Sequence, residues 1–142
     1  IGTEATYHDF ASYYVELVRI MREQYPQALA SNRFHLFLMT DSSDAVHEMD
    51  TYFAVNSEIP KPQSILYRQE AISSAAPGIR KGTDATVQLF IDLEVAKRSE
   101  VFVGTFSSQV SRLVYELMQT KEKPIDPAKY VHSLDEGWYF GA

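Results

Sequence analysis

The chain has 142 residues, of which 45% are hydrophobic and 13% aromatic, so we predict one folded domain over residues 1–142 and exclude disorder. A formal net charge of −6 argues against a nucleic-acid backbone or an anionic membrane as the main partner. Because cysteine is absent, disulfides and thiolate metal sites are excluded. Neither a membrane span nor a signal peptide is visible, and the start at Ile1 without Met leads us to expect a piece of a longer protein.

The first predicted element is a long amphipathic helix over residues 7–25, because its apolar residues recur every three to four positions. Asp9 is available as its N-cap, and Pro26 stands just beyond its end. A short strand follows at Phe34–Met39, where apolar and aromatic residues form a run that turn residues close. A second helix is expected over residues 44–55.

The second half of the chain continues the alternation of strand and helix. Residues 64–68 predict a weak strand, residues 69–82 are typical of a loop, and a third helix is expected over residues 83–98. The apolar residues expected to face inward on that helix are Val87, Phe90, Ile91 and Val95. A last strand and helix occupy residues 101–119, and residues 130–142 are expected to be extended without an obvious partner.

This order of elements predicts an α/β fold with a Rossmann-like parallel sheet and flanking helices. In such sheets the ligand lies beyond the carboxyl ends of the strands, which here are residues 40–42, 68–69 and 104–108. The G-x-G-x-x-G turn is missing, so NAD or FAD binding by the usual fingerprint is not expected. A nucleotide-sugar site needs only a loop and a helix start, and therefore remains compatible with the sequence.

Two hydroxyl residues, Ser107 and Ser108, stand where the last strand passes into the last helix. A helix N-terminus carries about half a positive charge and unbonded N–H donors, so these serines are candidates to hold a phosphate. The alternative is that Ser107 only caps the helix.

Three motifs together resemble the alpha-1,6-fucosyltransferase family: FSSQVSRLVYELMQ at 106–119, HSLDEGWYFG at 132–141 and IGTEATYH at 1–8. The resemblance implies the donor-binding half of a GT-B-like glycosyltransferase that transfers fucose from GDP-fucose, with inversion, to a glycan hydroxyl. The implied linkage is alpha-1,6 to N-acetylglucosamine. The chain would be a fragment of a larger enzyme, inactive alone, whose other domains are its partners. A catalytically inactive nucleotide-sugar or glycan-binding module is the alternative, and so is a general α/β interaction domain.

The resemblance also implies roles for acidic residues. Glu4 matches the candidate general base that takes the proton from the acceptor hydroxyl, although its position alone favours a carboxylate that stabilises a helix start. Asp41 matches the first of two adjacent catalytic acids, but Ser42 stands where the second is expected. A strand-end aspartate is also an ordinary turn residue.

The nucleotide contacts implied by the resemblance are Asp92, for the guanine edge, and Ser107, Ser108 and Gln109, for the diphosphate and its surroundings. A carboxylate that accepts two guanine N–H bonds discriminates against bases that lack those donors. From the residues alone, Asp92 and Glu94 are both compatible with the solvated side of a helix.

No cofactor is expected. The four histidines show no ligand spacing, and the resemblance implies transfer without a bound divalent ion, so protein donors would stabilise the leaving diphosphate. The implied location is the Golgi lumen, in a type II membrane parent, if the source is eukaryotic, and the cytoplasm if it is bacterial.

Overall fold

A computed structural model describes residues 7–74, 83–124 and 126–135. In chain order they form α1 (Phe10–Gln24), α2 (Pro26–Ala30), β1 (His35–Phe37), α3 (Ser43–Val55), β2 (Ser64–Leu66), α4 (Gln69–Ser74), α5 (Thr83–Lys97), β3 (Phe102–Gly104), α6 (Gln109–Gln119), α7 (Pro127–Tyr130) and β4 (Val131–Ser133). The expected alternation of strands and helices in a mixed α/β fold is confirmed.

Within the described residues the strands form two separate parallel pairs. In the first pair, β1 lies beside β2 with Leu36 opposite Ile65. In the second, β3 lies beside β4 with Val103 opposite His132. The prediction of parallel pairing is therefore confirmed, but the strands are paired two by two instead of in one continuous ladder.

Helices cover both faces of β1, which is why its residues read as a continuous apolar run. Leu36 and Leu38 pack with α1 and α3, whereas Phe37 and Met39 pack with α5 and α6. The alternation of side chains along a strand thus sends one half of β1 into each layer. The result around β1 is a helix–strand–helix arrangement of three layers.

An aromatic cluster fixes α1 against α3. Phe10 and Tyr14 contact Tyr52 and Phe53, with ring centroids 5.0–5.8 Å apart. The Tyr14 hydroxyl also donates to the carbonyl of Pro60. Since edge-to-face aromatic pairs add to the free energy gained from burial, this cluster holds the start of α1 in place.

The predicted helix ends near α1 and α3 are confirmed. Asp9 is the N-cap of α1 and accepts a hydrogen bond from the backbone N–H of Ser12 at 3.0 Å. Ser42 caps α3 in the same way and accepts from the N–H of Asp44 at 3.2 Å. Each cap satisfies a backbone donor that a helix start leaves unpaired.

The inward face predicted for α5 is wrong. Three of its four members are exposed, namely Val87 at 45%, Phe90 at 62% and Ile91 at 40%. The buried face instead carries Leu93 and Ala96, which pack against Val114 and Met118 of α6. Because α5 is apolar around most of its circumference, spacing alone did not single out the side that packs.

Two segments are more ordered than the sequence predicts. Residues 69–74 form α4 instead of a loop, while residues 75–82 lie outside the described residues. Residues 131–133 are extended as expected, but they have a partner in β3. None of the described helices is long and apolar enough to cross a membrane.

Candidate functional site

An open cleft of about 1370 Å³ runs along β1 and β3. It is lined by residues of these two strands, by residues at both of their ends, and by side chains of α1 and α5. Among the candidate residues, Asp41, Asp92 and Ser108 all line this cleft. One cleft is therefore lined by three residues that the sequence separates by as many as 67 positions.

The loop from β3 to α6 is shaped by Gly104. A Cβ atom at this position would lie 2.8 Å from the Phe102 ring and 2.8 Å from the Ser111 hydroxyl. The same hydroxyl accepts a hydrogen bond from the N–H of Thr105 at 3.2 Å. Glycine thus allows the chain to pass close to α6, so the turn carries Ser107 and Ser108 directly to the helix start.

Ser108, and not Ser107, is the N-cap of α6, so the alternative that Ser107 caps the helix is wrong. The Ser108 side chain makes no capping hydrogen bond, although its N–H donates to the carbonyl of Thr105 at 2.9 Å. Gln109 is the first helical residue and is exposed. The position that most needs a capping oxygen therefore holds a hydroxyl that does not cap and that lines the cleft.

Ser107 turns instead toward Asp135. Both its N–H, at 3.1 Å, and its hydroxyl donate to Oδ2 of that carboxylate. The other carboxylate oxygen, Oδ1, lies 3.2 Å from Nε2 of His8. Burial alone raises the pKa of Asp135, but the bonds from Ser107 and His8 outweigh it and bring the pKa below its ordinary value.

These three residues are not a Ser–His–Asp relay. In a relay the imidazole lies between the hydroxyl and the carboxylate. Here the carboxylate of Asp135 lies between Ser107 and His8, and each binds a different oxygen. The arrangement is suited to joining segments of the chain, not to activating a serine nucleophile.

Tyr13 connects α1 to the same loop. Thr105 of this loop lies near the Tyr13 hydroxyl. Burial raises the pKa of Tyr13, Thr105 lowers it, and the negative charge of Asp135 raises it further. Both Tyr13 and Thr105 line the cleft, so a neutral phenol forms part of its wall.

Asp92 is buried on α5, with its side chain only 6% exposed. Its Oδ1 accepts a hydrogen bond at 3.2 Å from Arg68, which also donates to the carbonyl and side-chain oxygens of Gln88. The alternative that Asp92 is on the solvated side of the helix is therefore wrong, whereas Glu94 is exposed. Burial raises the pKa of Asp92, Arg68 opposes the rise, and the charge of Asp41 adds to it.

Of the two remaining acidic candidates, the structure describes Asp41 but not Glu4. Asp41 follows β1, is exposed and acts electrostatically on Asp92. Glu4 lies outside the described residues. Among the described residues, no group of three or more His, Asp or Glu side chains could hold a metal ion.

Sequence reasoning missed His8, Arg68 and Asp135 as site residues. Arg68 had a signal, because it ends the strand predicted over residues 64–68, at the edge where ligands bind. Asp135 lies in one of the motifs, but its partner His8 is 127 positions away in the sequence. Nothing in the local pattern of either residue indicates the other.

Residues 1–139 match the family described as alpha-(1,6)-fucosyltransferase N- and catalytic domains. The chain belongs to this family. It is 30% identical over 145 aligned positions to an alpha-(1,6)-fucosyltransferase of Drosophila melanogaster, covering 99% of this chain and 21% of that protein. It is 28% identical over 144 positions to an alpha-(1,6)-fucosyltransferase of Caenorhabditis elegans, covering 99% of this chain and 24% of that protein. The chain thus spans about a fifth to a quarter of the length of these curated relatives.

Proposed function

We propose that this chain is the donor-binding part, a Rossmann-like unit over residues 1–142, of a GT-B-like fucosyltransferase. The protein that contains it transfers fucose from GDP-fucose, with inversion, to a glycan hydroxyl, by an alpha-1,6 linkage to N-acetylglucosamine. The observation that carries the proposal is the cleft along β1 and β3, whose lining includes Asp41 and Ser108 beyond the carboxyl ends of these strands and Asp92 on α5. The reaction in this proposal is taken from membership of the alpha-(1,6)-fucosyltransferase family.

The proposed base subsite centres on Asp92. A buried carboxylate held by Arg68 is fixed in orientation, which suits it to accept N–H bonds from guanine. A base without those donors would leave the buried carboxylate without new partners, and that costs affinity. The exposed Asp41 nearby is assigned to the reaction side of the same cleft.

The proposed diphosphate subsite centres on Ser108 at the start of α6. Its hydroxyl makes no cap bond and lines the cleft, and the helix start adds N–H donors and a partial positive charge. Gln109 is the neighbouring contact in the proposal. Ser107 supports the subsite indirectly, because its N–H and hydroxyl both donate to Asp135. No divalent ion takes part in it, so these donors stabilise the leaving diphosphate.

The proposal assigns Glu4 as the general base for the acceptor hydroxyl. In the full-length protein, Glu4→Gln should lower kcat by roughly 10²- to 10⁴-fold while leaving GDP affinity nearly unchanged. A near-normal kcat would return Glu4 to the alternative of a carboxylate that stabilises a helix start. The glycan acceptor and the other parts of the protein are the partners, and for a eukaryotic source the Golgi lumen is the proposed location.

Calorimetry and a transfer assay on the full-length protein test the proposal. We expect GDP to bind and ADP to bind at least about tenfold more weakly, because adenine lacks the donors for Asp92. Fucose transfer from GDP-fucose to an N-glycan acceptor should be measurable. Binding without transfer would favour the inactive nucleotide-sugar module, which Ser42 in place of an acid also fits. Absence of GDP binding would refute the donor site.

A further inference from the structure

We propose that Asp135 is a positioning residue that joins the segment before α1 to the β3–α6 loop and so sets the geometry of both sides of the cleft. This inference rests on the proposed function, since it concerns the donor and acceptor groups assigned above. It adds a residue to which the family match and the sequence motifs give no role of its own.

The contacts of Asp135 divide between its two oxygens. Oδ2 accepts hydrogen bonds from the N–H and the hydroxyl of Ser107, and Oδ1 lies 3.2 Å from Nε2 of His8. The side chains of Asp135 and His8 are 9% and 22% exposed, so water competes little for these bonds. Bonds to a charged carboxylate are roughly twice as strong as neutral ones, which makes this a firm connection between chain segments.

Asp135 is itself held in place by the end of β4. Its N–H donates to the Ser133 hydroxyl at 3.3 Å, and that oxygen also accepts from the N–H of Phe106 at 3.0 Å. The N–H of Leu134 donates to the carbonyl of Gly104 at 2.9 Å. The pairing of β3 with β4 therefore fixes the position of the Asp135 carboxylate relative to the loop that carries Ser107.

On the donor side, the Asp135 carboxylate accepts hydrogen bonds from the hydroxyl and the N–H of Ser107. Ser108 is the next residue and lines the cleft. Holding Ser107 thereby fixes where the Ser108 hydroxyl stands relative to a bound diphosphate. Displacements of about 1 Å in such a group cost up to roughly 10²-fold in rate, so a firm hold matters.

On the acceptor side, the carboxylate holds His8, which lines the cleft just before α1. Loss of this contact would free the His8 side chain, which belongs to the wall of the cleft opposite the β3–α6 loop in the proposal. Asp135 therefore holds two cleft-lining segments, one through each of its oxygens.

The test uses Asp135→Asn, Ser107→Ala and His8→Ala in the full-length protein, with GDP affinity, kcat and thermal stability measured for each. Ser107→Ala should weaken GDP binding roughly tenfold, and His8→Ala should lower kcat roughly tenfold with GDP affinity unchanged. Asp135→Asn should do both. The Ser107→Ala/Asp135→Asn double variant should bind GDP as tightly as the single variant with the lower GDP affinity. The two substitutions remove the same connection, so their effects should not add.

Asp126→Asn is the matched control. It also removes one carboxylate, from the exposed N-cap of α7, and should leave GDP affinity and kcat unchanged. If Asp135→Asn lowers only thermal stability, with normal GDP affinity and kcat below the melting temperature, the residue is a structural tie and the inference is overturned. If Asp135→Asn fails to fold, the difference between Ser107→Ala and His8→Ala decides: equal effects of the two variants on GDP affinity and on kcat refute the inference.

Failure of the proposed function has a different signature. If the wild-type protein binds no GDP, the donor site itself is refuted and the inference falls with it. If the wild type binds GDP and transfers fucose but all three variants match it, only the inference on Asp135 fails.

Discussion

Arg68 donates a hydrogen bond to Asp92 across 3.2 Å and so joins the end of β2 to the middle of α5. The two side chains are 16% and 6% exposed. Arg68 also donates to both oxygens of Gln88, one turn earlier on α5. A buried carboxylate without such a partner would be costly, so the pair makes it possible for a carboxyl group to line the cleft.

Removing the arginine should therefore destabilise the protein strongly. Arg68→Met keeps the length and apolar stem of the side chain but leaves Asp92 buried without its cation. We expect the free energy of unfolding to fall by about 2–4 kcal/mol near neutral pH, measured by denaturant titration. Because the pKa of Asp92 would rise further, the deficit should shrink as the pH falls through that pKa and the carboxyl becomes neutral.

Arg19→Met is the control for this variant. Arg19 pairs with Glu16 and Glu23 on the exposed side of α1, and its side chain is 47% exposed. Exposed pairs of this kind contribute at most about 1 kcal/mol, so the control should change stability little. Equal effects of the two substitutions would mean that the Arg68–Asp92 pair does not hold the site together.

Asp135 should make the protein sensitive to acid. Its pKa in the folded state is below the ordinary value of 3.8, so its contribution to stability is complete above that value and is lost as the pH falls through the folded pKa. Asp135→Asn should lower the free energy of unfolding near pH 7, and the gap to the wild type should close in acid. Denaturant titrations across pH measure this gap.

Asp50→Asn provides the comparison for Asp135, since it removes one carboxylate from an exposed position on α3. Its gap to the wild type should be small at every pH. A gap for Asp135→Asn that stays constant into acid would show that the carboxylate charge does not contribute.

The elements that the sequence predicts well are those whose pattern is local. α1 and α3 each present apolar residues at helical spacing and a capping side chain, so both their faces and their ends could be predicted. α4 was missed because Gln69–Ser74 has no apolar period that distinguishes it from a loop. The partner of β4 was missed because pairing between Val103 and His132 depends on a register that no local signal encodes.

The site divides in the same way. The predicted parallel strands indicated that Asp41 and Ser108 would lie on the same cleft, because the loops after parallel strands converge. The burial of Asp92 could not be predicted, since α5 is apolar on several sides and its packed face is chosen by α6. The bond between His8 and Asp135 joins distant segments, so only the folded chain reveals it.

Gly104 should tolerate no side chain. In Gly104→Ala the new methyl group would lie 2.8 Å from the Phe102 ring and from the Ser111 hydroxyl, which is too close for either contact. We expect a loss of about 1–3 kcal/mol in the free energy of unfolding, the usual cost of overpacking. Adding Phe102→Leu should recover part of that loss, and a double variant less stable than both singles would contradict the steric explanation.

The last prediction concerns Ser108, the N-cap of α6 whose hydroxyl makes no capping bond. If that hydroxyl binds a diphosphate oxygen, Ser108→Ala in the full-length protein should weaken GDP affinity by roughly 10- to 150-fold, the range for one bond to a charged group. Its thermal stability without nucleotide should barely change, because no cap bond is lost.

Asp9→Ala is the reference variant, because it shows how much unfolding free energy is lost when an N-cap side chain that makes its hydrogen bond is removed. It removes an oxygen that accepts from the Ser12 N–H, so it should cost about 1 kcal/mol of unfolding free energy. If Ser108→Ala instead behaves like Asp9→Ala, with lower stability and unchanged GDP affinity, the hydroxyl is a cap in solution and the phosphate site is refuted. Measuring both quantities on both variants separates the two roles, because a cap acts on the folding equilibrium and a ligand contact acts on the bound state.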